Sequence, residues 1–393
     1  MPLALDGLKV IDLGRSPMTI YCSMILGDLG ADVIWIQDTT RPNGSDEDLA
    51  KRAAFDARLR NKRSLALDLK QDSAQEVMRR LIRRTDVMLE GFRPGVTQRL
   101  GVDYETLKPL NPRLVYCSVS GFGQTGPYRD YPGHDNSYSS ISGAMSLIGE
   151  ADRKPVPAYN LLADNASGGL LSCISVLTAL LWRETSGQGQ YIDLSMTDGV
   201  ASLMGHVYSE YFRTGQAPHR GEAPSSGGLP QYSIYETADG KFISIAALEQ
   251  KFLENLCHLL GRPDFIGNLR EQVKRDEMRA FLQETFLQKS RDEWFDILAA
   301  AEVPAGKVNS PDEATEDPHL LARDVFIELA DEKVGPVRQI GMPFKMSETP
   351  GEVRRLGPRK GAHTAEILRS LDYEESEIEA MKQSGAILVT PHS

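Results

Sequence analysis

At 393 residues the chain is too long for one ordinary hydrophobic core, so two domains are expected. A make-up of 41% hydrophobic and 25% charged residues, with no low-complexity tract, is that of a globular protein, and no apolar run reaches the length a bilayer requires. Net charge is −11, from 44 cations and 55 anions, which argues against general affinity for nucleic acid or an anionic membrane because both rest on a cationic field.

The longest apolar run, around Leu170 to Trp182, is broken by Ser172 and Ser175. Residues 1–13 show no basic segment followed by an apolar one, so no secretory signal is visible. Cys22, Cys117, Cys173 and Cys257 are widely separated and lack C-x-x-C spacing, as expected of reduced thiols in a cytoplasmic protein.

From the start, Leu8 to Gly14 predicts a buried strand ending in glycine, Ser16 to Leu29 a helix, and Ala31 to Ile36 a second strand. Between Lys51 and Arg63 stand Lys51, Arg52, Arg58, Arg60, Lys62 and Arg63 against Asp56 alone: a solvated helix face or a local anion site. Ser64 to Leu69 alternates as a strand. Ser73 and Glu76 have capping-box spacing ahead of an amphipathic helix with Ala74, Val77, Met78, Leu81 and Ile82 on one face. A further strand spans Asp86 to Phe92, and another Leu114 to Val119. This alternation implies an α/β fold with a mostly parallel sheet covered on both faces. Ligands bind such sheets beyond the carboxyl ends of the strands, so the turns after Gly14, Leu69, Gly91 and Ser120 should converge on one crevice.

Gly121-Phe122-Gly123-Gln124-Thr125-Gly126 satisfies G-x-G-x-x-G, yet Pro127 and Pro132 prevent a helix from starting there to hold a pyrophosphate, and the dinucleotide reading is set aside. A loop with Pro132-Gly133-His134-Asp135 follows, then a long apolar helix from Leu161 to Glu184 whose small residues Ala166, Ser167, Gly168 and Gly169 admit a close neighbour. Tyr191 to Leu194 predicts a strand, Thr197 to Tyr211 a helix, and Thr214 to Pro230 a linker or mobile loop. Beyond it, strands at Tyr232–Thr237 and Lys241–Ile245 around an Asp-Gly turn, then helices near 250–261, 275–288 and 291–301, form an α+β unit over 231–325. The segment 326–393 carries Gly361-Ala362-His363-Thr364 and two short helices. It is too small for its own core and should return to the first domain, 1–213.

Taken singly, His134 reads as a surface or hydrogen-bonding residue, Asp164 as an N-cap, and Glu249 as a carboxylate at a helix start. No H-E-x-x-H, Cys/His cluster or G-x-S-x-G is present. Together, however, Pro132-Gly133-His134-Asp135-Asn136-Ser137-Tyr138, Asn160 to Asp164, Thr185 to Gln190 and Leu89-Glu90-Gly91-Phe92-Arg93-Pro94-Gly95-Val96 resemble the family III coenzyme A transferases and, within them, the 2-methylacyl-CoA racemase branch. The resemblance runs from Leu8 to the Gly361 region.

It implies a Rossmann-like large domain, a smaller α+β domain, and two subunits interlocked as a homodimer. It implies an acyl-CoA substrate with no metal, NAD or flavin, no nucleic-acid or membrane partner, and a nucleotide lying along Arg60, Asn61, Lys62, Arg63, Gly91, Phe92, Arg93 and Arg99, with Asp135 and Tyr138 also at the ligand. Arginine suits bidentate phosphate contacts. In the transferase branch Asp164 would attack the thioester to give an aspartyl-acyl anhydride. In the racemase branch Asp164 and His134 would exchange protons on opposite faces of the α-carbon, with Glu249 orienting His134 and backbone N–H groups at the enolate oxygen. The Gly-His-Asp triplet with Tyr138, the placement of Glu249, and a run of only two glycines at Gly227-Gly228 favour racemase. Asn165, Leu248-Glu249-Gln250 and Gly227-Gly228-Leu229-Pro230 depart from that branch's pattern around the acyl pocket.

Overall fold

Short apolar strands separated by helices assemble, in the computed structural model, into a sheet built from the first half of the chain and edged on one side by a short strand from near its end. The structure describes residues 2–14, 16–40, 42–331 and 334–390, with the side chain of residue 225 left aside. Six parallel strands are β1 (Lys9–Asp12), β2 (Asp32–Gln37), β3 (Lys62–Leu67), β4 (Val87–Glu90), β5 (Val115–Ser120) and β6 (Tyr191–Ser195). Their order is β3-β2-β1-β4-β5-β6, the doubly wound order that reverses between β1 and β4 and opens a crevice there.

Contacts divide the chain into two units, one of Met1–Ser142, Tyr159–Leu203 and Pro318–Ser393, the other of Gly143–Ala158 and Met204–Asp317. In the first, Ile11, Leu65, Met88 and Tyr116 of the sheet pack with Val77, Met78 and Ile82 of the helix Asp72–Ile82 and with Ile367, Leu368, Ile378 and Met381 from the C-terminal segment. The face expected of Ala74, Val77, Met78, Leu81 and Ile82 is the buried one. That helix begins at Asp72, ahead of Ser73, so the capping box does not form. Glu76 pairs instead with Arg79 and Arg80 on the next turn.

A two-residue strand, Ile387–Leu388, adds antiparallel to β3, and a hairpin joins Phe326–Asp331 to Gly335–Ile340. The predicted apolar helix is one continuous element, Leu161–Ser186, because Ser172 and Ser175 satisfy their hydroxyls on carbonyls of the preceding turn. Its 26 residues are long and apolar enough to cross a bilayer by length and composition, which corrects the expectation that no such run exists. Its small residues admit the helix Pro17–Asp28: a Cβ at Gly168 would stand 2.6 Å from Met18 Cβ, and one at Gly169 2.6 Å from the Tyr21 ring.

The second unit holds the strands Tyr232–Glu236, Phe242–Ala246 and Ala305–Lys307, with Gly240 at φ +70° in the hairpin turn. Tyr235, Ile243, Leu256, Phe265, Leu282, Phe286, Trp294 and Leu298 form its core. The single helix expected over 197–211 is two, Met196–Leu203 and Gly205–Thr214, and the division between units falls at this break. Residues 214–230 pack within the second unit rather than standing free. Arg220 donates to the carbonyls of Ser146, Glu150 and Arg153, and Arg279 to those of Gly227 and Gly228. Arg220 thereby ties residues 143–158, read from sequence as part of the first domain, to the second unit.

Candidate active site

The crevice at the carboxyl ends of β1, β4 and β5 is a cavity of about 600 Å³. Its wall is supplied by Ser16 and Pro17 after β1, Gly91 to Pro94 after β4, Ser120 to Phe122 after β5, and by His134, Tyr138 and Asp164. Three of the four expected turns therefore meet. The turn after Leu69 does not, because β3 lies two strands away from β1 and Leu69 is buried in the core.

The glycine run after β5 is a turn, with Gly123 and Gly126 at φ +84° and +85°, and no helix starts there. Gly121 O accepts from the backbone N–H and Oγ1 of Thr197 at 3.0 and 2.7 Å. Gly121 and Gly133 make room for one side chain: a Cβ at either would stand 2.2 or 2.6 Å from Tyr138 Cε1. Phe122 meets that ring edge-on at 5.1 Å. Tyr138 is thus clasped at the cavity wall, and burial followed by the nearby Asp164 charge raises its pKa, against the opposing pull of Arg93.

His134 does not sit in a loop body but caps the helix Asp135–Ile141, extended at φ −137° with its ring exposed. Its backbone N–H donates to Ser137 Oγ at 3.5 Å. Asp164 is not an N-cap. It is the fourth residue of a helix entered through Tyr159 and Asn160, both left-handed at φ +51° and +58°, and its first ten residues are wound with the wider π spacing. Asp135 is buried and accepts the amides of Ala163 and Asp164 on its Oδ2 at 2.8 and 3.0 Å. Asp135 therefore holds Asp164 from behind rather than facing the cavity, and those two amides are spent on it. Burial first, and the Asp135 charge second, raise the Asp164 pKa, with His134 pulling the other way.

The basic strip is elsewhere. Arg60 is fully buried, its Nε and Nη2 on Asp28 at 3.0 and 2.6 Å and its Nη1 on Ile340 O. Asn61 donates to Asp28 Oδ1 and Glu352 O at 2.7 and 2.8 Å. The buried Lys62 ammonium donates to Ser23 Oγ at 2.5 Å and Ile20 O at 2.9 Å, with Asp12 Oδ2 at 3.4 Å, and burial lowers its pKa. Arg63 pairs with Asp32 and Glu366. None of the four lines the cavity, and neither does the exposed Arg99. Arg60, Asn61 and Lys62 staple the start of β3 to the first helix and to the C-terminal segment, whereas Lys51 and Arg52 of the same cluster lie exposed on the helix Asp46–Phe55. Gly91, Phe92 and Arg93 do line the cavity. Glu249 is exposed at the start of the helix Gln250–Leu259 in the second unit.

Residues that the sequence did not single out are Arg129, in the cavity wall, and Glu90, buried just behind it. The only local signal for Glu90 is a carboxylate ending an otherwise apolar strand, Val87-Met88-Leu89-Glu90. Among the described residues no group of three His, Cys, Asp or Glu is placed to hold a metal ion.

The model of CoA-transferase family III matches residues 5–364. The chain is 36% identical over 378 residues to an alpha-methylacyl-CoA racemase of Homo sapiens, covering 96% of this chain and 95% of that one. It is 34% identical over 390 residues to a succinate–glutarate CoA-transferase of Agrobacterium fabrum, covering 94% and 96%. In structure it is similar to a CAIB/BAIF family protein from Brucella suis, with a TM-score of 0.81, 31% identity, and coverage of 95% of this chain and 100% of that one.

Proposed function

The chain belongs to CoA-transferase family III, an enzyme family, and on that premise we propose that it is an acyl-CoA racemase, exchanging the α-proton of a 2-methyl-branched acyl-CoA by 1,1-proton transfer. The observation that carries this reading is that Asp164 and His134, two acid/base groups, line one cavity, with the Asp164 carboxyl raised by burial and by Asp135. Racemisation needs one group ionised to take a proton and the other protonated to return one, so a carboxyl that retains its proton more readily than usual suits the task. An attacking carboxylate has no use for the protonated form.

In the forward step the α-carbon–hydrogen bond breaks toward Asp164 or His134, and its electron pair passes into the thioester carbonyl as an enolate. The other group then delivers a proton to the opposite face. The thioester itself accepts the charge, so the chemistry draws on coenzyme A as part of the substrate and on no further cofactor. Because the Ala163 and Asp164 amides are occupied by Asp135, the enolate oxygen takes its donors from elsewhere in the wall. Arg93 in the cavity wall is the cation for the coenzyme A phosphates. Glu249 keeps the role the resemblance gives it, that of a third catalytic carboxylate. A homodimer is part of this proposal: Ile174, Leu181 and Trp182 are 58, 73 and 57% exposed on the long apolar helix, a face a second copy would cover.

The near-equal identity to a CoA-transferase supports a second reading, in which Asp164 attacks the thioester and forms a mixed anhydride. Incubation with a single enantiomer of a 2-methylacyl-CoA in deuterated water separates the two. Racemase activity gives α-deuterium incorporation with no acyl acceptor present. Transfer gives none, and leaves an acyl-enzyme that hydroxylamine traps. Loss of exchange for one enantiomer in preference to the other on His134→Ala supports the two-base mechanism; no effect of that change refutes it.

A further inference from the structure

Glu90 ends β4 at the point where strand order reverses, and none of the chemistry above uses it. It is 3% exposed. Its Oε2 accepts the backbone N–H of Phe92 at 2.8 Å, and its Oε1 accepts Ser118 Oγ from the facing position of β5. Gln124 Nε2 donates to Ser118 Oγ at 2.9 Å, which leaves the serine's own hydrogen to donate to Glu90. Both carboxyl oxygens therefore face donors. Ionised, Glu90 accepts from both donors at once; a proton on Oε2 would confront the Phe92 N–H, and one on Oε1 would require the Ser118 hydroxyl to turn away, so the arrangement favours the ionised form.

What Glu90 grips is the stretch Gly91-Phe92-Arg93-Pro94, all of it cavity wall. Its surroundings oppose the charge. Tyr116 and Cys117 of β5, Tyr191 of β6, Tyr104 with Asp103 and Glu105, and Arg129 are the titratable groups around it, and among the described residues none pairs with it as a cation. Burial pushes the carboxyl up to about 7, with Ser118 and the Phe92 amide pulling it down.

We propose that Glu90 is a positioning residue: ionised, it holds the Gly91-Phe92-Arg93 turn in the shape that receives coenzyme A, and protonation releases the turn, so affinity for coenzyme A falls as this one carboxyl takes up its proton. The inference rests on the reading of the cavity as an acyl-CoA site.

The test measures binding of free coenzyme A by calorimetry between about pH 5.5 and about 8.5 for the wild type, Glu90→Gln and Ser118→Ala, together with amide exchange of residues 91–96 without ligand. The wild type should gain about tenfold in affinity across neutral pH relative to Glu90→Gln, a ratio in which titration of the ligand's own phosphates cancels. Ser118→Ala removes a donor that favours the ionised form, so its rise should come at higher pH. Exchange at 91–96 should quicken on acidification in the wild type, beyond the change seen in the glutamine variant. Parallel affinity curves and parallel exchange for wild type and Glu90→Gln overturn the proposal. Should Glu90→Gln not fold, an unshifted rise in Ser118→Ala does the same. Absence of coenzyme A binding with pH-dependent exchange intact refutes the reading of the cavity and leaves the Glu90 grip standing.

Discussion

Replacing Gly121 with alanine tests whether the glycine run serves Tyr138. The added Cβ would lie 2.2 Å from Cε1, 2.4 Å from Cζ and 2.6 Å from the hydroxyl of a ring that is 7% exposed. Ordinary carbon contacts are about 3.5–4 Å, so the ring has to retreat by more than about 1 Å. It has nowhere to go: Gly133 lies close to the same ring edge, and Phe122 packs edge-on at 5.1 Å. Gly121 itself is not in a left-handed conformation, so the cost is steric rather than backbone strain. Overpacking of this kind costs about 1–3 kcal/mol, to which the disturbed aromatic pair adds about 1 kcal/mol. At about 2–4 °C per kcal/mol the melting temperature should fall by roughly 4–16 °C. Because Tyr138 borders Asp164 in the cavity, kcat/KM for α-proton exchange should fall by about tenfold or more. Gly121→Ala combined with Tyr138→Leu, which removes the ring, should recover most of the stability but not the activity. A single variant that melts with the wild type and keeps its kcat/KM refutes the argument, as does a double variant no more stable than the single.

Arg60→Ala leaves Asp28 buried without its partner and should cost about 3–5 kcal/mol in denaturant titration, while the affinity for coenzyme A in the folded protein stays within about twofold of wild type. A large loss of affinity without loss of stability would return Arg60 to the nucleotide. Asp135→Asn can still accept the Ala163 and Asp164 amides through its oxygen but removes the charge that raises Asp164. The Asp164 pKa should fall, moving the acid limb of the kcat/KM profile to lower pH; an unmoved limb contradicts the assigned cause. Glu90 has a folded pKa near 7 against an unfolded value of 4.5, so the native state binds the extra proton and stability falls as pH rises between those values, then levels. Glu90→Gln should therefore gain on the wild type in unfolding free energy, read by denaturant titration, from about pH 5 to about pH 7, by up to about 3 kcal/mol, with no further gain beyond; a difference independent of pH refutes the assignment.

The sheet was legible because its strands are local apolar runs bounded by glycine, and the helix Asp72–Ile82 because its buried face repeats at helical spacing. Even the site was legible to the extent that doubly wound sheets fix where ligands go: β1, β4 and β5 deliver their turns to the same cavity. What the chain order does not show shares one cause. Arg60 finds Asp28 32 positions earlier and Ile340 280 positions later, and the Lys62 ammonium finds Asp12 50 positions away, so a charge cluster in the chain carries no record of whether its partners are internal or a ligand's phosphates. Residues 143–158 group with the second unit for a similar reason, since their carbonyls accept from Arg220, about seventy positions on.

The cations therefore divide by what their backbone is doing. Arg60 and Lys62 lead into or lie on β3, two strands from the reversal point, where side chains at the sheet meet other elements of the same fold and must be neutralised inside it. Arg93 stands in a turn beyond β4, at the reversal point, in the wall of the cavity that Asp164 also lines. A buried carboxylate one turn back, Glu90, holds that turn through its Phe92 amide rather than through the arginine. It fixes where Arg93 begins without consuming its charge. Under the proposed function a protein of net charge −11 receives a polyanion, and the division suits that: the internal cations secure the fold, and Arg93 and Arg129 stand in the cavity wall.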